Sequence, residues 1–150
     1  MSLEQEEPER KHEVPQGTSE QTVDALGKLS EVLEVIEEAR GNLYRFHRLT
    51  GRADLALGDA VELFKAAGHT RIAQELDAAL VGRNVLEGRW TFQVIEEYDD
   101  GYYAEFRDRE RTIREQLVGG RRHLYEARMK EDRRTHGRRG HEAAPPRGPE

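Results

Sequence analysis

Four polar residues interrupt the apolar arcs of this sequence, and their placement is what could do chemistry. On a helical wheel, Asp99 falls between Ile95 and Tyr102, and Glu110 takes the matching slot between Phe106 and Ile113. Arg40 and His47 fall within the arc of Leu29, Ile36 and Leu43. A carboxylate turned toward a core must be paired, hydrogen-bonded or protonated, because leaving it bare costs several kcal/mol. Two arrangements follow. Either Arg40 or His47 on one helix meets Asp99 or Glu110 on another and fixes their register, or the four form the floor of a polar pocket for a ligand or metal.

The densest stretch is residues 88–103, which hold the only Trp, three of the five Tyr, and the carboxylates Glu96, Glu97, Asp99 and Asp100. Arg89, Trp90 and Tyr98 would wall a pocket there, with Glu96, Asp99 and Tyr103 spaced to share helix faces. Hard cations take oxygen ligands of this kind. Acids near a helix start, however, are also favoured by its dipole, and the calcium-loop spacing D-x-[DN]-x-[DN]-G is absent. Other chemistries fail on spacing. Glu-x-x-His occurs once, at Glu9 to His12; there is no His-Glu-x-x-His, P-loop or dinucleotide glycine pattern. Ser2, Ser19 and Ser30 are the only serines, none in a Gly-x-Ser-x-Gly run, and cysteine is absent. No complete catalytic set is legible, so no cofactor is expected and an enzyme is not the leading expectation.

The elements that must position these residues read as helices almost throughout. Thr18 or Ser19 caps a helix whose apolar positions run Val23, Leu26, Leu29, Leu33, Ile36, Ala39, Leu43 and which should end at Thr50-Gly51. A short second helix fits 53–67, with Ala60, Leu63, Phe64 and Ala67 inward and Gly68 as its stop. A third opens at Thr70 and closes at Gly82, and 83–90 form a polar connection. Thr91 caps a long fourth helix to about Val118 through Phe92, Ile95, Tyr102, Phe106, Ile113 and Leu117. Gly119-Gly120 breaks the chain before a more polar helix over 121–134. With no alternating strand pattern, the fold class is all-α, a compact bundle of four to five helices over 18–135.

Charge is unevenly spread over the 150 residues, whose formal net charge is −6. Residues 1–40 hold 11 acids against 4 bases, whereas 101–150 hold 13 bases against 9 acids. The acidic segment 1–17 and the Arg-, Pro- and Gly-rich segment 136–150 carry little apolar surface to offset ordering entropy, so both are expected to be disordered and dispensable for folding. Arg121, Arg122, Arg128, Lys130, Arg133, Arg134, Arg138 and Arg139 could meet phosphates, but Glu126, Glu131 and Asp132 are interleaved with them. Nucleic acid is therefore not the expected partner, and the acidic N-terminal segment or a second copy of the chain is the more economical one. No apolar run approaches the roughly 18–20 residues of a membrane span, and the opening Met1 to Glu7 carries no signal-like apolar stretch. The expectation is a cytoplasmic protein without a membrane partner.

The block Gly-Arg-Asn-Val-Leu-Glu-Gly-Arg-Trp-Thr-Phe-Gln-Val-Ile-Glu-Glu-Tyr-Asp-Asp-Gly-Tyr-Tyr, residues 82–103, resembles a segment of uncharacterised small all-helical bacterial proteins. The resemblance spans much of 35–140 and implies a shared fold, with no activity attached. The leading expectation is a non-enzymatic protein-interaction or regulatory module, acting on a protein partner or on itself. Its rival is a small-molecule or metal-binding protein, with an enzyme among the options, built on the cluster around His47 and Asp99. A third reading is weak nucleic-acid binding through the Arg-rich end.

Overall fold

A single helix carries the chain from its first cap to its first glycine stop. In the computed structural model, which describes residues 5–148, α1 spans Glu20–Ala66. Ser19 caps it, its hydroxyl accepting the Thr22 backbone N–H at 3.1 Å. The end is a Schellman turn: His69 N–H reaches Phe64 O at 2.9 Å, Gly68 N–H reaches Lys65 O at 3.0 Å, and Gly68 takes φ +87°. The expected stop at Gly51 does not occur. The inward positions Leu43, His47, Thr50, Asp54, Leu57 and Val61 alternate spacings of four and three across it, and this tertiary phase outweighs the roughly 1 kcal/mol a mid-helix glycine costs. Continuity also corrects the expected facing of 53–67. Val61 is buried, whereas Leu63 is 71% exposed and Phe64 is exposed.

Four further helices follow among the described residues. α2 spans Thr70–Ala79, α3 spans Thr91–Tyr98, and α4 spans Ala104–Val118, with a π-helical turn over Asp99–Tyr103 joining α3 to α4. α5 spans Leu124–Arg133, entered through His123 in the left-handed region at φ 59°. The described residues contain no β-strand, only an isolated bridge between Leu86 and Arg89. The protein is all-α. The fourth helix expected from 91 to 118 is present but interrupted by the π turn.

The chain divides into two compact units by its internal contacts. The second unit, Val35–Glu105, buries Val61, Ala73, Thr91, Ile95 and Tyr103. The first takes the residues before and after that stretch, with a core of Val23, Val118 and Leu124 and Leu26 packed against it. There Gly27 lies under the Tyr125 ring so closely that a Cβ would stand 2.7 Å from Tyr125 Cγ.

Residues 5–17 and 136–148 lie in this first unit, largely outside helices, with a short 3-10 turn at Arg10–His12. They carry specific contacts. The Arg134 side chain, 4% exposed, holds Glu131 at 2.5 Å and Glu6 at 3.0 Å. Arg121 donates to Glu13 O at 2.6 Å, Lys130 to Ala143 O at 2.8 Å, and Ala143 N–H to Gln5 O at 2.8 Å. The expected disorder at the extreme ends, residues 1–4 and 149–150, lies outside the described residues.

Candidate functional site

The polar residues singled out in the sequence separate into three groups, two in the second unit and one in the first. The central group is built on the π turn. A π turn inserts one residue into the helical ladder and marks many functional sites. Asp99 and Tyr103 open and close it, around the weak helix former Gly101. Asp99 receives a forked pair of hydrogen bonds from Arg40 of α1, Nε to Oδ1 at 2.8 Å and Nη2 to Oδ2 at 3.0 Å. The Arg40 guanidinium carbon lies 4.7 Å from the Tyr103 ring centroid and 5.0 Å from that of Tyr44, so the cation is held between two aromatic rings.

Further contacts tie the group together. Tyr103, 8% exposed, donates its hydroxyl to Glu37 Oε1 at 2.6 Å. Tyr98 stacks on Tyr103 with centroids 6.3 Å apart and leans on Tyr102 at 5.9 Å. The Arg40 hydrogen bonds hold the Asp99 carboxyl below its ordinary range, against the opposing effect of burial, and the same contact raises Arg40. The result is a permanently charged pair at neutral pH, not a proton donor or acceptor. Glu37 and Tyr44 were not singled out in the sequence. They stand i−3 and i+4 from Arg40, and that spacing is the signal that could have found them.

His47 goes elsewhere. Its Nδ1 lies 2.6 Å from the Thr91 hydroxyl, buried at the start of α3. This corrects the expectation that His47 is an alternative partner for Asp99: the Thr91 hydroxyl, eight residues before Asp99, takes it instead. Glu110 is corrected too. It is buried in the first unit and bonded to Arg114 of its own helix, Nε to Oε1 at 2.9 Å, while Arg114 Nη1 also donates to Gly120 O at 2.6 Å. An i,i+4 base satisfies the acid locally, so it needs neither Arg40 nor His47. The four interrupting residues do not form one pocket floor.

The remaining candidates surround the loop between α2 and α3. Arg89 pairs with Glu97 at 2.8 Å, and Glu96 is exposed. The Leu86–Arg89 turn is closed by Arg89 N–H to Leu86 O at 3.0 Å, with Gly88 at φ +68°. Gln93 reaches back to accept the Trp90 backbone N–H at 2.8 Å, closing the start of α3. Asp54 of α1 accepts the Gly82 N–H at 2.9 Å, and the Trp90 indole donates to Gly82 O at 3.3 Å. Between this loop and α1 lies an open cleft of about 1200 Å³, walled by Leu55, Leu57, Leu80, Val85, Leu86 and Trp90. Its charged groups, Asp54, Arg83 and Glu87, are few. Among the described residues no group of three or more His, Asp or Glu side chains is placed to hold a metal ion.

No helix among the described residues is long and apolar enough to cross a membrane. No protein-family model, curated protein or solved structure matches the chain.

Proposed function

We propose that the chain is a non-enzymatic protein-interaction module whose docking surface lies on the second unit. The observation that carries this reading is the amount of large apolar surface left in solvent there. Leu49, Leu55, Leu63, Leu86, Trp90 and Phe92 are all between 46% and 75% exposed. Single exposed apolar residues are ordinary; a concentration of them on one unit marks an interaction site. The polar groups support the same reading. Arg40 with Asp99, His47 with Thr91 and Tyr103 with Glu37 satisfy one another, so they work as the scaffold of the surface.

The test is a photo-crosslinking side chain placed at Leu49, Leu63 or Leu86 in the native host, with Arg71, 91% exposed on α2, as the control position. Protein adducts at the apolar positions and none at Arg71 are expected. Equal yields at all four positions would contradict the proposal.

A second reading has its own observation, the cleft beside Trp90. Its volume of about 1200 Å³ exceeds the roughly 300–1000 Å³ of small-molecule sites, leaving room for such a ligand, and its walls are apolar. Trp90 is the only tryptophan, so quenching of its fluorescence by an apolar anionic dye reads occupancy directly. Saturable quenching lost in Leu86→Asp supports a ligand site, and a linear response removes it.

A further inference from the structure

We infer that the outward face of α1 pairs antiparallel with the same face of a second copy of this chain, with the two-fold axis beside Ala56. The inference rests on the docking-surface reading above and names its occupant.

α1 carries two apolar stripes. The inward one, through Leu43, Leu57 and Val61, is used within the second unit. The other runs Phe46, Leu49, Ala53, Ala56, Ala60, Leu63 and Ala67, with spacings of three and four repeated without a break. That is the seven-residue repeat by which two helices lie side by side. Most of it is left open by the second unit: Phe46 is 44%, Leu49 48% and Leu63 71% exposed, Ala53 and Ala56 are exposed as well, and Ala60 is half-buried. The stripe is about 33 Å long at 1.5 Å per residue. Between Leu49 and Leu63 its side-chain sizes mirror about Ala56, with the leucines outside and Ala53 and Ala60 inside. An antiparallel two-fold sets the Leu49 end of one helix on the Leu63 end of the other and brings the alanines together at the crossing.

Charge decides both the occupant and the direction. Along one flank the positions one before each repeat are Arg45, Arg52 and Asp59, with Arg48 and Glu62 beside them. The flank is basic toward the N-terminal end of the stripe and acidic toward the C-terminal end. In an antiparallel pair a flank faces the same flank of its partner, so Arg52 of each copy meets Asp59 of the other, and this occurs twice. A parallel pair sets Arg52 against Leu57 and leaves the acids without bases. Among the described residues Arg45, Arg48, Arg52 and Asp59 make no ion pair within the chain, so all four are open to a partner. The surface is thus complementary to itself, as a two-fold interface has to be.

Sedimentation velocity of the full chain tests this, with far-UV circular dichroism and Trp90 fluorescence checking that each variant is folded. The parent should self-associate to a dimer, and Leu63→Asp should be monomeric. Arg52→Asp and Asp59→Arg should each raise the dissociation constant about tenfold, because the two-fold turns two attractions into repulsions. The double variant, or an equimolar mixture of the two singles, should recover the parent affinity to within about threefold, since each restores the opposite-charge contact. A parent that stays monomeric at its solubility limit overturns the inference. So does a dimer indifferent to Leu63→Asp or to the charge exchange. A monomeric parent that still crosslinks through Leu63 to a different protein ends the self-pairing and leaves the interaction reading standing; a monomer with no adducts ends both.

Discussion

Replacing Asp99 with alanine strands the Arg40 guanidinium between Tyr44 and Tyr103, and the size of the penalty can be worked from the geometry. Two charge-assisted hydrogen bonds of 2.8 and 3.0 Å are lost. Breaking a fully buried pair costs about 3–5 kcal/mol, but here the side chains are 28% and 25% exposed, so water reaches the stranded cation. A loss of about 1.5–2.5 kcal/mol is expected, near the range for hydrogen bonds to charged groups. Asp99→Asn keeps the shape and one acceptor and should lose about 1 kcal/mol. Urea unfolding followed by Trp90 fluorescence reports the unit that holds the pair. A double-mutant cycle with Arg40→Leu should give about 1–2 kcal/mol of coupling, whereas one with His47→Ala should stay within about 0.5 kcal/mol, because His47 bonds Thr91 instead.

The pair also fixes a pH dependence. Arg40 lowers the folded-state pKa of Asp99 below that of the unfolded chain. The stabilisation is therefore complete above the unfolded value, about 4, and is lost as the pH falls through the lowered folded value. The parent and Asp99→Ala curves should separate fully at neutral pH and converge below about pH 4. A variant within about 0.5 kcal/mol of the parent at pH 7, a gap that persists in acid, or equal coupling to His47 and Arg40 would refute the reasoning.

Further expectations follow from the backbone and the ends. Gly41 and Gly51 lie inside α1 with open space where a Cβ would stand, so Gly41→Ala and Gly51→Ala should each add about 0.5–1 kcal/mol by thermal or urea unfolding. Gly27→Ala should do the reverse, because its Cβ meets the Tyr125 ring at 2.7 Å. A shortened chain of residues 18–135 should melt below the full-length protein, since it loses the Glu6 contacts of Arg134 and the Ala143 contact of Lys130; equal melting temperatures would show those contacts to be without consequence. Gel-shift titration at physiological salt should show weak nucleic-acid binding, because Arg114, Arg128 and Arg134 are engaged by Glu110, Asp24 and by Glu6 with Glu131.

Helical periodicity was legible over most of the chain, and so was Asp99 as a carboxylate needing a base from α1, because both are properties of a single helical wheel. The misreadings share a cause. Gly51 carries a local stop signal, but whether a helix continues is decided by the phase of its inward stripe, and Val61 is in phase with Leu43 across the glycine. A helix broken at Gly51 leaves Leu63 and Phe64 free to turn inward, whereas in the continuous helix that direction belongs to Val61. Glu110 was matched across helices although Arg114 stands one turn away. Contacts such as Arg134 to Glu6, 128 residues apart in the chain, leave no mark in local composition. The π turn is equally silent: Asp-Asp-Gly-Tyr-Tyr signals a weak helix, not the extra residue that opens between Asp99 and Tyr103.

If a second α1 covers the outward face of α1, the absence of cysteine from the chain makes one measurement of that pairing direct. Ala56→Cys introduces a lone thiol beside the expected two-fold axis, where it meets its own copy, and Arg71→Cys places one on an exposed position of α2 as the reference. Under mild oxidation, or with a short bifunctional maleimide, Ala56→Cys should convert to a covalent dimer rapidly, Arg71→Cys only slowly, and the Ala56→Cys rate should fall when Leu63→Asp is added. Equal rates at the two positions, or an Ala56→Cys rate unmoved by Leu63→Asp, would contradict the account.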